Sequence, residues 1–173
     1  TIHVTHDQRE AMTLADRVVL MRAGRIVQAG TPRELFDDPV DEFAAHFIGS
    51  PSVNLIDAAF TEDGVALGEA GVPIRLPERH LAALRRSGLR RGRIGIRPHS
   101  LRPASRDDHA AVPVERPLAY AVGRERFLDF ELSGQTWRGV LPADAGDSLP
   151  ERMQLDPARI FYFTPEGVRL PVA

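Results

Sequence analysis

His6 is the residue in this sequence best placed to do chemistry. It closes a short alternating run, Thr1-Ile2-His3-Val4-Thr5, whose β-branched members predict a strand. From Asp7 onward the pattern is helical, with Ala11, Met12, Leu14 and Ala15 on roughly one face. A histidine at a strand-to-helix junction stands where backbone N–H groups and the positive end of a helix attract anions. A neutral imidazole can donate from one nitrogen there while a neighbour orients the other. Single histidines at such junctions usually serve solvation or structure, so His6 gains meaning only from what surrounds it.

Those surroundings are specific. Val4-Thr5-His6-Asp7-Gln8-Arg9-Glu10-Ala11-Met12-Thr13-Leu14-Ala15-Asp16-Arg17, continued by Val18 through Pro32, resembles the switch-histidine region of ABC-transporter ATP-binding subunits. The similarity is greatest to the sugar and glycerol-phosphate importer class. Phe47-Ile48-Gly49-Ser50-Pro51, with Asn54 following, resembles the junction where that class passes from its nucleotide-binding domain to a C-terminal regulatory domain. The resemblance is dense over residues 1–55 and thinner beyond. It implies that His6 hydrogen-bonds the γ-phosphate of ATP and helps position the attacking water. It also implies that the complete subunit binds ATP and Mg, dimerises through its C-terminal domains and drives solute import through membrane permease subunits. Such a subunit is cytoplasmic and sits at the inner face of the membrane.

The chain opens inside a strand on threonine and so reads as the remainder of a longer protein. All 22 of its basic residues are arginine. A Walker A loop needs a lysine to reach the terminal phosphates, so this chain holds none. His6 is then one catalytic part whose phosphate loop and signature loop lie elsewhere, and the chain alone is expected neither to hold ATP or metal nor to hydrolyse ATP. A net charge of −2 gives no basic field to recruit nucleic acid or anionic lipid. No run of ~18 apolar residues is present to span a bilayer. Without cysteine there is neither disulfide nor thiol chemistry.

The predicted fold is α+β, the tail of a P-loop ABC nucleotide-binding domain (1–49) followed by a small all-β OB-like (TOBE) barrel (53–173). Arg17–Met21 and Arg25–Ala29 predict a hairpin across Ala23-Gly24. Thr31-Pro32-Arg33-Glu34 carries the pattern of a capping box with proline at the first helical position. A second short helix, about Asp41–Ile48, would present Phe43, Ala44, Phe47 and Ile48 as its apolar face and end at Gly49. Candidate strands follow at Asn54–Thr61, Val65–Leu67, Val72–Leu76, Arg93–Arg97, Val112–Val122, Glu125–Leu132, Gln135–Leu141 and Arg159–Phe163, with a helix over Glu78–Arg86. Ile94-Gly95-Ile96-Arg97-Pro98 and Leu155 through Phe163 are similar to two strands of the family's TOBE domain, although His99-Ser100 stand where the family usually has Glu-His. Ile2 and Val4 lack a parallel neighbour within the chain, which predicts a strand that is frayed, re-paired or shared with another copy.

Several other features compete for a functional role. Leu132-Ser133-Gly134-Gln135 looks like an ABC signature but lies between two alternating runs, which predicts a hairpin turn. Arg85, Arg86, Arg90, Arg91, Arg93 and Arg97 form a basic cluster without the aromatics that stack nucleic-acid bases, so a solvated or salt-bridged face is expected. His3, His46, His80, His99 and His109 have no ligand spacing, and Asp107-Asp108 reads as a loop. The alternative function is a small-molecule or oxyanion-binding OB-like module, for which Arg97 and Ser100 are the available donors.

Overall fold

The computed structural model describes residues 1–104, 108, 110–142 and 148–172, so Asp107 and His109 lie outside the described residues. Helix α1 (Gln8–Leu14) starts because the Asp7 side chain accepts from the N–H groups of Arg9 and Glu10, at 2.8 and 3.2 Å. The expected strand before it does not form. Residues 1–5 join no ladder, and Ile2 and Val4 are 94% and 91% exposed.

Strands β1 (Val18–Arg22) and β2 (Arg25–Gly30) form the predicted hairpin, with Ala23 and Gly24 at φ of 49° and 76° as its two-residue turn requires. Helix α2 (Pro32–Asp37) has the complete capping box, Thr31 Oγ1 accepting from Glu34 N and Glu34 Oε2 from Thr31 N. Helix α3 (Glu42–Phe47) is capped by Asp41. Its buried residues are Ala44 and Ala45, whereas Phe47 is 39% exposed, so the apolar face is rotated from the predicted one. Leu20, Leu35, Ala44 and Ile48 close a small core between these elements.

The remainder is β-rich. The largest sheet has six strands in the order β14-β13-β6-β3-β4-β5, all antiparallel: β3 is Asn54–Phe60, β4 Gly64–Leu67, β5 Val72–Arg75, β6 Arg91–Ile96, β13 Ile160–Phe163 and β14 Arg169–Leu170. Helix α4 (Glu78–Ser87) packs Leu81 and Leu84 into the core beneath it and ends at Gly88 in the left-handed region. A meander of β9 (Glu115–Val122), β10 (Glu125–Leu132) and β11 (Gln135–Leu141) forms a second sheet. The third joins β7 (Leu101–Pro103), β12 (Arg152–Leu155) and β8 (Ala111–Pro113).

Two expectations change here. The described strands form four separate sheets, counting the β1–β2 hairpin, and do not close into a barrel. The run expected as one strand over Val112–Val122 is two, because β8 pairs with β12 while β9 pairs with β10. Trp137, Phe130, Leu128, Ile94, Ile96, Met153 and Tyr162 fill the shared core between the sheets. Asn54 stitches two of them: its side-chain carbonyl accepts from Arg138 N and its amide donates to Arg138 O, both at 2.8 Å.

The N-terminal elements are fastened to the large sheet by Arg97, which is 4% exposed at the end of β6. Its guanidinium donates to the carbonyls of Phe36 and Ala45 at 2.8 Å, and also to the carbonyl of Ile48. It lies 4.1 Å above the Phe36 ring and 5.4 Å from that of Phe161. Burial lowers its pKa to about 10, against the pull of Asp37, and leaves it a cation at neutral pH. Beside it Arg93 holds Glu42 at 2.6 Å, and burial pushes that carboxyl up in spite of Arg93. Ala45, Val53, Phe161 and Phe163 complete an apolar seam between the two parts.

Candidate functional site

His6 stands at the rim of an open cleft of about 660 Å³. One wall is its own segment, His6 to Arg9; the floor is Gly49 to Ser52; the far wall is Asn54 with Asp129, Thr136 and Arg138 of the meander. The His6 side chain is exposed and forms no hydrogen bond among the described residues, whereas the residues on either side of it are tied down. Thr5 Oγ1 donates to Glu10 Oε2 at 2.7 Å and accepts from Asp7 N at 3.0 Å. His3 Nε2 lies 3.3 Å from the same Glu10 oxygen. The hydroxyl of Thr5, and then His3, hold the Glu10 carboxyl below its ordinary range. Asp7 is likewise lowered by the backbone N–H groups of Glu10 and Arg9 that it caps. The loop therefore fixes its backbone around His6 and leaves the ring free to meet something else.

Its chemistry on its own is limited. At the start of α1 the N–H groups of Arg9 and Glu10 are occupied by the Asp7 side chain and not open to an anion. Facing His6, Arg138 is committed to Asp129 in a bidentate pair, 2.7 Å for each bond, and stacks near Tyr120 at 5.6 Å. Hydrogen bonding to Asp129 raises the Arg138 pKa, while desolvation and the Asp129 charge raise that of Tyr120. Among the described residues no group of three His, Cys, Asp or Glu side chains is arranged to hold a metal. The sequence holds no lysine, and two of the N–H groups that open α1 are taken by the Asp7 side chain.

The remaining candidates disperse. Ser133 and Gly134, at φ of 50° and 74°, are a hairpin turn between β10 and β11, and not a signature loop. The arginine cluster splits into separate duties: Arg85 pairs with Glu78, Arg93 with Glu42 and Asp57, and Arg97 is the buried clamp. Arg97 is turned away from the oxyanion-binding alternative, because three of its guanidinium donors go to backbone carbonyls and it is 4% exposed. His99 pairs with Glu125, His46 is exposed, and His80 is buried against Tyr162. Sequence reasoning missed Gln8, whose Oε1 accepts from Gly49 N at 3.1 Å and ties the His6 segment to the cleft floor. It missed the Asp129–Arg138 wall too, since only the pairing of β10 with β11 makes those residues neighbours.

A histidine loop leading into a capped helix, followed by a hairpin and a β-rich remainder, is the arrangement to set beside known proteins. No protein-family model matches the chain. It is 36% identical over 174 residues to the sn-glycerol-3-phosphate import ATP-binding protein UgpC of Paracoccus denitrificans, covering 98% of this chain and 46% of that protein. It is 34% identical over 168 residues to the sulfoquinovosyl glycerol transport ATP-binding protein SmoE of Agrobacterium fabrum, covering 94% and 45%. To the multiple sugar-binding transport ATP-binding protein MsmK of Streptococcus mutans it is 39% identical over 152 residues, covering 79% and 40%. The homologues of this chain are thus the ATP-binding subunits of sugar and glycerol-phosphate ABC importers, and it belongs with them along most of its own length. It spans less than half the length of these curated relatives.

Proposed function

We propose that this chain is the C-terminal part of an ABC importer's ATP-binding subunit. Residues 1–49 form the tail of its nucleotide-binding domain and residues 53–173 a regulatory domain related to the OB-like (TOBE) type. In the complete subunit His6 contacts the γ-phosphate of Mg-bound ATP, which supplies the chemical energy for import; His6 helps orient the attacking water. The complete subunit pairs with a second copy through its C-terminal domains and docks on membrane permease subunits from the cytoplasmic side. The observation that carries this reading is the His6 loop itself. Its neighbours Thr5 and Asp7 are both anchored on α1 while the imidazole is exposed and has no hydrogen-bond partner among the described residues, as suits a side chain that completes a site built by other elements.

The test is calorimetric titration with Mg-ATP of this chain and of the complete subunit, together with turnover by the complete subunit carrying His6→Ala. Heat only from the complete subunit, and a fall in kcat of at least about 100-fold in the variant, is expected, a size within the range general acid–base groups contribute. Micromolar binding by the chain alone, or unchanged turnover in the variant, rejects the assignment. A further observation favours the importer reading over the oxyanion module, namely that Arg97 faces backbone and not a pocket.

A further inference from the structure

The peptide unit between Ile48 and Gly49 is held at both ends by side chains from opposite parts of the molecule. Its carbonyl accepts from Arg97 Nη1, at the end of β6 in the large sheet. Its N–H donates to Gln8 Oε1, two residues after His6, at 3.1 Å. A peptide unit is planar and stiff, so rotating one end rotates the other. A cation on the carbonyl also polarises the unit and strengthens its N–H as a donor. Gly49 is the residue this geometry admits: its φ is 132°, and a Cβ there would stand 2.6 Å from Arg97 Nη1.

We propose that Gln8 is a positioning residue for His6, and that the Ile48–Gly49 peptide makes its hold conditional on Arg97 and therefore on how the large sheet sits against α2 and α3. The inference rests on the reading of His6 given above and adds to it the route by which the β-rich part acts on the nucleotide-facing loop. Among the described residues the Gln8 bond is the one side-chain hydrogen bond that joins α1 to the segment entering the large sheet, and it gives the loop a point at which to sense that sheet. Undocking Arg97 frees the carbonyls of Phe36, Ala45 and Ile48 together, lets the peptide turn, and releases Gln8. His6 then samples a wider range of positions, and the site it completes is populated less often.

A double-mutant cycle separates a relay from mere adjacency. The probe is the His6 ring resonance of this chain, read by NMR in the wild type, in Gln8→Leu, in Arg97→Lys and in the double variant. Arg97→Lys keeps a buried cation but cannot reach all three carbonyls, and the core signal of Trp137 reports whether each variant stays folded. The His6 signal is expected to shift in both single variants, and the Arg97→Lys shift is expected to vanish in the Gln8→Leu background. Gln8→Glu, which keeps the acceptor, is expected to restore the wild-type position. An unmoved His6 signal in Gln8→Leu, or equal effects of Arg97→Lys in both backgrounds, overturns the relay. In the complete importer, Gln8→Leu is expected to lower kcat about tenfold with KM unchanged, and Gln8→Glu to recover it. A shifted His6 signal without any change in kcat keeps the relay and rejects the catalytic reading of His6.

Discussion

At the scale of single residues, His80 shows how a buried side chain sets a pH limit. Arg79 Nε donates to its Nε2 at 3.1 Å, and Nδ1 lies 3.1 Å from the hydroxyl of Tyr162. Arginine can only donate, so Nε2 is the acceptor and Nδ1 carries the proton toward Tyr162. Burial, then the charges of Arg79 and Arg169, push the His80 pKa down. The unfolded chain therefore binds the proton more readily. Its contribution to stability is complete above the unfolded value near 6.5 and is lost as pH falls through the lower folded value. Urea unfolding at pH 8 and pH 5 should show a loss of stability in the wild type that is smaller in His80→Gln, whose amide can keep both bonds. Equal losses would remove His80 from the account. The same residue scale shows where sequence stops being legible. His6 was visible because its type and its neighbours are unusual together. Arg97 was not, since six arginines between 85 and 97 look alike in a sequence, and only strand β6 decides which one turns inward.

Elements were legible wherever a local rule governed them. The capping box of α2, the hairpin turns at Ala23-Gly24 and Ser133-Gly134, and the alternation of β10 and β11 all lie within a few residues of chain. The three-residue strands β7 and β8 and the four-residue β12 were missed or merged. Their pairing spans some fifty residues of sequence, and so short a segment carries no period to read. Within the first hairpin one local rule is broken: Ala23 holds a φ of 49° that favours asparagine or glycine. Ala23 is exposed, so a longer side chain there can point into solvent. Ala23→Asn should raise stability by about 0.5–1 kcal/mol, measured as a higher urea midpoint at unchanged slope. A lower midpoint would mean the turn is held by something other than its backbone preference.

For the whole molecule, the balance of covered and uncovered apolar surface is uneven. The β-rich part buries most of its large side chains in one continuous core and leaves Leu118, Val122 and Val168 exposed, while the hairpin of the N-terminal part turns Val19, Met21 and Ile26 outward, 53%, 55% and 65% exposed. Val19 and Met21 alternate along β1, and Ile26 is the partner of Met21 across the hairpin, so they share one face. Ile2 and Val4, near the start of the chain, are exposed as well. The hairpin face should show in solution as affinity for an apolar dye, and removing it should cost little fold stability, because each of these side chains is more than half exposed. Val19→Thr with Ile26→Thr should therefore lower dye fluorescence at least about twofold and leave the thermal midpoint within about 2 °C, since surface changes away from special features fall within ~0.5 kcal/mol. If the proposed function is right, the complete subunit should bind less dye per mole than this chain, because the face then lies against the rest of the nucleotide-binding domain. Equal dye binding by the two would leave the hairpin face open in the complete subunit as well, and the placement of residues 1–49 within a nucleotide-binding domain would have to be given up.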